Sequence, residues 1–98
     1  MLLSEREANQ VDGIHELLMA SLKLGRDGVN ADLAFTDLTK KLTSKLLVAL
    51  KFVCDDLQLP PIRDECSSKD NKIYWARALV NWVRHLSVNV FAHLTLLQ

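Results

Sequence analysis

The chain has 98 residues, 49% of them hydrophobic and 24% charged, with twelve basic and twelve acidic side chains and no net charge. That composition excludes a wholly disordered chain and fits a single globular domain over residues 1–98, large enough for one core and too small for two. Three glycines and two prolines are few, which favours helices over short strands joined by turns. Neutrality hides an asymmetry: residues 1–38 carry three basic against seven acidic side chains, a net of −4, and residues 39–98 carry nine against five, a net of +4.

The first block opens with Ser4 and Glu7 three residues apart, a capping-box spacing that satisfies two orphan amides of a helix start. Its apolar stripe is Ala8, Val11, Ile14, Leu18 and Leu22. Gly25 is the expected C′ residue, and Gly25-Arg26-Asp27-Gly28 reads as a connection. Ahead of Ser4, Met1-Leu2-Leu3 is too short for a secretory apolar region. No apolar run reaches the roughly 18 residues of a membrane span.

The second block runs from about Asn30 to Leu57, with Asn30 or Asp32 as cap. Phe35, Leu38, Leu42, Leu46, Ala49, Leu50, Val53 and Leu57 form its buried face, with a bend or break expected near Thr39. Pro60-Pro61 ends this helix, since proline lacks the amide donor. Residues 58–71 are then a polar connection, long enough to hold a short helical turn.

Asp70 or Asn71 caps the last block, which continues to about Leu97. Trp75, Leu79, Trp82, Leu86, Val90 and Leu97 share one stripe, and Ile73, Val80 and Phe91 widen it. A stripe that wide places the helix at the centre of the bundle or under another chain. The fold class is therefore all-α: a compact bundle of three long helical blocks, becoming four or five helices where blocks break.

Charge carries the functional reading. At 100° per residue along an unbroken second helix, Lys40, Lys41, Ser44, Lys45, Lys51 and Asp55 share one face, with Val48 and Phe52 between the lysines. Lysines over two or three turns can track a phosphate backbone, and an aromatic among them can stack on a base. On the last helix Arg77 and Arg84 lie seven apart with Asn81 between, an arrangement suited to phosphate oxygens or a neighbouring carboxylate. The same groups equally fit a solvated helix back, with the arginines paired to Asp37, Asp55 or Asp56 inside the bundle.

Enzymatic readings fit less well. The three histidines and two cysteines fall in no ligand spacing, so no metal or other cofactor is expected. His15 and His93 lie on or beside apolar stripes and read as core histidines. Arg84-His85 begins like the Arg-polar-x-x-x-x-His pattern of helical ribonucleases, but Val90 stands where the histidine belongs. No glycine-rich loop follows a strand. Cys54 and Cys66 stand apart, which points to free thiols in a reducing cytoplasm.

An all-helical chain with a lysine-bearing helix, here Lys40-Lys41-Leu42-Thr43-Ser44-Lys45 through Lys51-Phe52, resembles the small subunit of class 1 CRISPR surveillance complexes. The resemblance covers the whole chain as architecture. It implies a non-enzymatic helical bundle in the belly of a Cascade-type antiviral assembly, packed against other subunits and copies of itself. Basic faces would there steady a guide–target duplex or displaced strand of RNA or DNA, and an internal start within a larger subunit would fit a chain opening on a capped helix. The contrasting expectation is a helical adaptor or homodimer without nucleic acid, its surface formed by Val80, Val88, Phe91 and Leu96. An immunity-type inhibitor is weaker, because no dense acidic cluster is present.

Overall fold

A computed structural model describes residues 2–26, 31–63 and 71–96. These residues hold four α-helices and no strand: α1 (Glu5–Arg26), α2 (Ala31–Thr43), α3 (Leu47–Asp56) and α4 (Lys72–Leu96). The all-α reading is correct, and the second block is two helices.

The capping box at the start of α1 is complete. The Ser4 amide donates to Glu7 Oε1 at 2.9 Å, and the Glu7 amide donates to Ser4 Oγ at 3.1 Å. The Ser4 amide foremost, with the Ser4 hydroxyl beside it, holds the Glu7 carboxyl below its ordinary range. Helix α1 then continues to Arg26, so Gly25 is not its C′ residue. Asn30 lies outside the described residues, and Asp32 is inside α2 rather than its cap.

The break between α2 and α3 falls at residues 44–46, not near Thr39, and its cause is local and then tertiary. The Thr43 and Ser44 hydroxyls donate to the carbonyls of Lys40 at 2.9 Å and Lys41 at 2.6 Å, competing with the helical ladder. The Ser44 and Lys45 amides close tight i−3 bonds to the Lys41 and Leu42 carbonyls. Leu46 then turns extended (φ −66°, ψ 138°), and no side chain of its own caps the start of α3. Its amide instead donates to Gln10 Oε1 of α1 at 3.1 Å. A side chain 36 residues upstream thus holds the corner.

Helix α3 ends at Asp56, ahead of the two prolines. Gln58 takes a left-handed conformation (φ 58°). Its amide bonds the Asp55 carbonyl at 3.1 Å, and the Leu59 amide bonds the Cys54 carbonyl at 2.8 Å. This is a Schellman termination with glutamine where glycine is usual; Pro60-Pro61 only prevents resumption. The chain then returns to α4, where the Ile62 amide meets the Tyr74 carbonyl at 3.1 Å. Asn71 caps α4 through Oδ1, which accepts from the Ile73 amide at 3.2 Å; Asp70 lies outside the described residues.

Both α2 and α3 pack on α1 and on α4, whereas they scarcely touch each other. The pair therefore lies in succession along the α1–α4 groove, as one broken third member. Gln10 meets the start of α3, Cys54 of α3 reaches Trp75, and Arg84 reaches Phe35 of α2. These contacts make α1 and α4 run in the same general sense. One buried cluster joins all four helices, including Ile14, Leu18, Leu38, Leu42, Leu50, Val53, Leu79 and Val83. Fully burying each such side chain contributes about 1.5–3 kcal/mol before conformational entropy is set against it.

Like α1, helix α4 packs on all three other helices, and over residues 74–83 it is buried on several sides through Tyr74, Trp75, Ala76, Ala78, Leu79, Val80 and Val83. Val80 is spent on the chain's own core and is not free for a partner. The side chains of Val88, Val90, Phe91, Leu96 and Leu97 lie outside the described residues.

Two substitutions test these backbone assignments. Gln58→Gly relieves the left-handed strain and should raise unfolding stability by about 0.5–1 kcal/mol in urea titration. In mid-α1, a Cβ on Gly13 would meet only the flexible end of Lys45, 3.2 Å from Nζ. Gly13→Ala should therefore stabilise by about 0.5–1 kcal/mol through helix propensity, with Lys45 Nζ moving aside.

Candidate nucleic-acid interface

The break in the second block removes the continuous lysine face. Lys40 and Lys41 occupy the last turn of α2, where cations favour the negative end of the helix dipole. Both are exposed, and Lys41 Nζ pairs with Asp37 Oδ2 at 2.9 Å. Lys45 is half-buried in the corner, with its Nζ beside Gly13 of α1. Lys51 belongs to α3 and holds its ammonium 5.6 Å from the Trp75 ring centre. The 100° wheel that placed all four on one face does not apply across residues 44–46.

Phe52 also departs from the expectation of a base-stacking aromatic among lysines, since it is half-buried and packs on the core. Val48, its neighbour in that reading, is 42% exposed. His15 is exposed rather than in the core, and the side chain of His93 lies outside the described residues. Among the described residues no three His, Cys, Asp or Glu side chains gather to hold a metal ion.

The arginines form the better-organised basic surface. Helix α4 has 25 residues and no aspartate or glutamate among them. Arg77, Asn81 and Arg84 follow i, i+4, i+7 spacing and so share a ridge; Asn81 and Arg84 are exposed and Arg77 is half-buried. The Arg84 guanidinium lies 4.9 Å from the Phe35 ring centre, and the Arg77 guanidinium 6.0 Å from that of Tyr74. An aromatic face under a guanidinium attracts its charge and limits its rotamers while the N–H edge can still donate. The internal partner considered for Arg84 was a carboxylate; the structure provides Phe35 instead, and Asp37 goes to Lys41.

Tyr74 was legible as the i−3 neighbour of Arg77. Phe35 was not, because nothing in the pattern of α2 says which part of α4 crosses it. Gln10 and Gly13, which shape the lysine-bearing corner, gave no sequence signal beyond one amide and one mid-helix glycine.

Beneath Lys51, Trp75 Nε1 is buried with no hydrogen-bond partner among the described residues. The Trp75 carbonyl accepts from Cys54 Sγ at 3.6 Å. Cys54 is fully buried, and that burial, with Asp55 adding repulsion, pushes its thiol up to about 12. Cys66 lies outside the described residues. No helix among the described residues is long and apolar enough to cross a membrane.

Cys54 supplies a test of this packing. In a Cys66→Ser background at pH 8, iodoacetamide should label the folded chain far more slowly than the urea-unfolded chain, because the Cys54 thiol is both buried and held protonated. Because the folded thiol titrates higher than the unfolded one, its stabilisation is complete below about pH 9 and is lost as pH rises toward about 12.

Compared with family models, curated proteins and solved structures, the chain matches none of them.

Proposed function

We propose that this protein is a non-enzymatic helical subunit of a nucleoprotein assembly, gripping the sugar–phosphate backbone of RNA or DNA without reading its sequence. The observation that carries the reading is the carboxylate-free α4 ridge, with Arg77 and Arg84 braced on aromatic rings either side of Asn81. The exposed Arg84 guanidinium, held over Phe35, donates to phosphate oxygens with little further ordering cost, and Arg77 adds its charge one ridge position away. Lys40, Lys41, Lys45 and Lys51 contribute as separate charges.

Two arginines and a few outlying lysines make a weak grip at physiological salt. Repetition along a strand, with protein neighbours holding each copy in place, raises the effective concentration and makes such a grip useful. That economy is why the small subunit of class 1 CRISPR surveillance complexes stays the proposed kind of protein; the all-helical architecture supports it. The buried free Cys54 agrees with a reducing cytoplasmic setting.

Fluorescence anisotropy with a labelled oligothymidine and a labelled duplex tests the proposal. The chain should bind at about 25 mM salt and release steeply by about 200 mM. Arg77→Ala with Arg84→Ala should reduce the log–log salt slope by about 1.5 and weaken binding at every sequence. Replacing Lys40, Lys41, Lys45 and Lys51 together by alanine should have a smaller effect, with helical circular dichroism retained. Absence of binding at low salt, or binding indifferent to the arginine substitutions, rejects the interface.

A further inference from the structure

We infer that His85 belongs to the same nucleic-acid grip as Arg84, as a cation present only at lower pH, and that the grip therefore tightens as pH falls. The inference rests on the nucleic-acid reading of α4. Side chains of α4 are described from Lys72 to Leu86, and among them only Asn81, Arg84 and His85 are exposed. Arg84 and His85 follow Asn81 by three and four residues, so they fall on either side of it on the helix surface. The water-facing window of α4 is thus an Asn–Arg–His group with no carboxylate on its own helix. Arg84 is held over Phe35. His85 makes no hydrogen bond or ion pair among the described residues, so its imidazole is available to a ligand.

The charged groups of the other helices leave that window open. Helix α3 carries Lys51, Asp55 and Asp56, but it lies against the start of α4, where Lys51 meets the Trp75 ring and Cys54 the Trp75 carbonyl. Trp75 and His85 are ten residues apart, about 15 Å along the helix axis. Helix α2 brings Lys40, Lys41 and Asp37, of which the last two pair with each other. Helix α1 carries Glu5, Arg6 and Glu7 in its first turn and Asp12, Glu16 and Lys23 further along. None of these groups pairs with His85. The side chains of Arg26 and Asp32 lie outside the described residues.

Imidazole is the side chain whose charge changes between pH 8 and pH 5. Neutral, it gives a phosphate oxygen an ordinary hydrogen bond; protonated, it adds a charge-assisted one beside that of Arg84. A bound polyanion favours the protonated form, so binding takes up a proton and is stronger at lower pH. The gain is complete below the pH at which the free imidazole titrates. It is lost as pH rises through the higher value at which the bound imidazole titrates.

Anisotropy with labelled oligothymidine at about 25 mM salt, read at about pH 8 and about pH 6, tests the assignment. Neither thymine nor the phosphodiester changes charge between those values. From the higher pH to the lower, the Kd of the wild-type chain should fall about fivefold and its log–log salt slope steepen by about 0.5. His85→Gln should abolish that change while keeping the affinity found at the higher pH. His85→Lys should hold at the higher pH the affinity that the wild type reaches only at the lower. His15→Gln and His93→Gln should keep the dependence. A measurement without substitution stands beside these: by NMR, the His85 ring resonances should titrate at higher pH with oligothymidine than without it. The inference is overturned if the dependence survives in His85→Gln or is removed by changing another histidine, or if the His85 titration ignores oligothymidine. Binding that is weakened by Arg84→Ala yet equal at both pH values fails this inference alone; absence of binding at both fails the nucleic-acid reading with it.

Discussion

The corner at residues 44–46 is the constraint on which the rest of the molecule depends. Two hydroxyls withdraw carbonyls from the helical ladder at Lys40 and Lys41, and Gln10 accepts the amide that starts the next segment. A straight helix from residue 31 to residue 56 would have to match the path of the α1–α4 groove along its whole length. Broken at the corner, its halves settle independently: Phe35, Leu38 and Leu42 in one part, Ala49, Leu50, Val53 and Cys54 in the other. Close packing rewards such adjustment, since voids and overpacking each cost a kcal/mol or more.

The same corner decides what the basic residues can do. On one helix the lysines would have formed a rail. Divided among the end of α2, the corner and α3, they meet different neighbours: Asp37, Gly13 and Trp75. Lys40 and Lys41 already have a structural reason to be where they are, at a helix C-terminus that attracts cations. The arginines need a different account. Helix α4 is largely buried over residues 74–83, and the Arg77–Asn81–Arg84 ridge meets no opposing charge from its own helix. Two cations on one ridge without an opposing charge are what the proposed function uses to meet an extended anion.

Much of the core was legible in the sequence. Val11, Ile14 and Leu18 of α1 and Phe35, Leu38, Leu42, Leu50 and Val53 of the second block are buried as their spacing requires. Their spacing stays helical through residues 42–50, which is why periodicity could not reveal the corner: the same residues turn inward whether the helix is whole or broken. Tyr74, Ala76, Ala78 and Val83 of α4 were less legible, because a helix buried on several sides has no single stripe to read. The basic residues of the candidate interface were all visible as residues. Their grouping was not, since a helical wheel presumes the continuity that the corner removes.

By itself the sequence determined the helical class, the capped start at Ser4 and most of the apolar face, and narrowed the cap of α4 to Asp70 or Asn71, because these depend on contacts within three or four residues. Tertiary structure alone decided where the second helix breaks, since the Leu46 amide needs an acceptor 36 residues away. It also decided that Arg84 rests on Phe35, since these residues meet only when α4 crosses α2. Local hydrogen bonding is written in short spacings; the choice of distant partners follows from how the apolar faces pack.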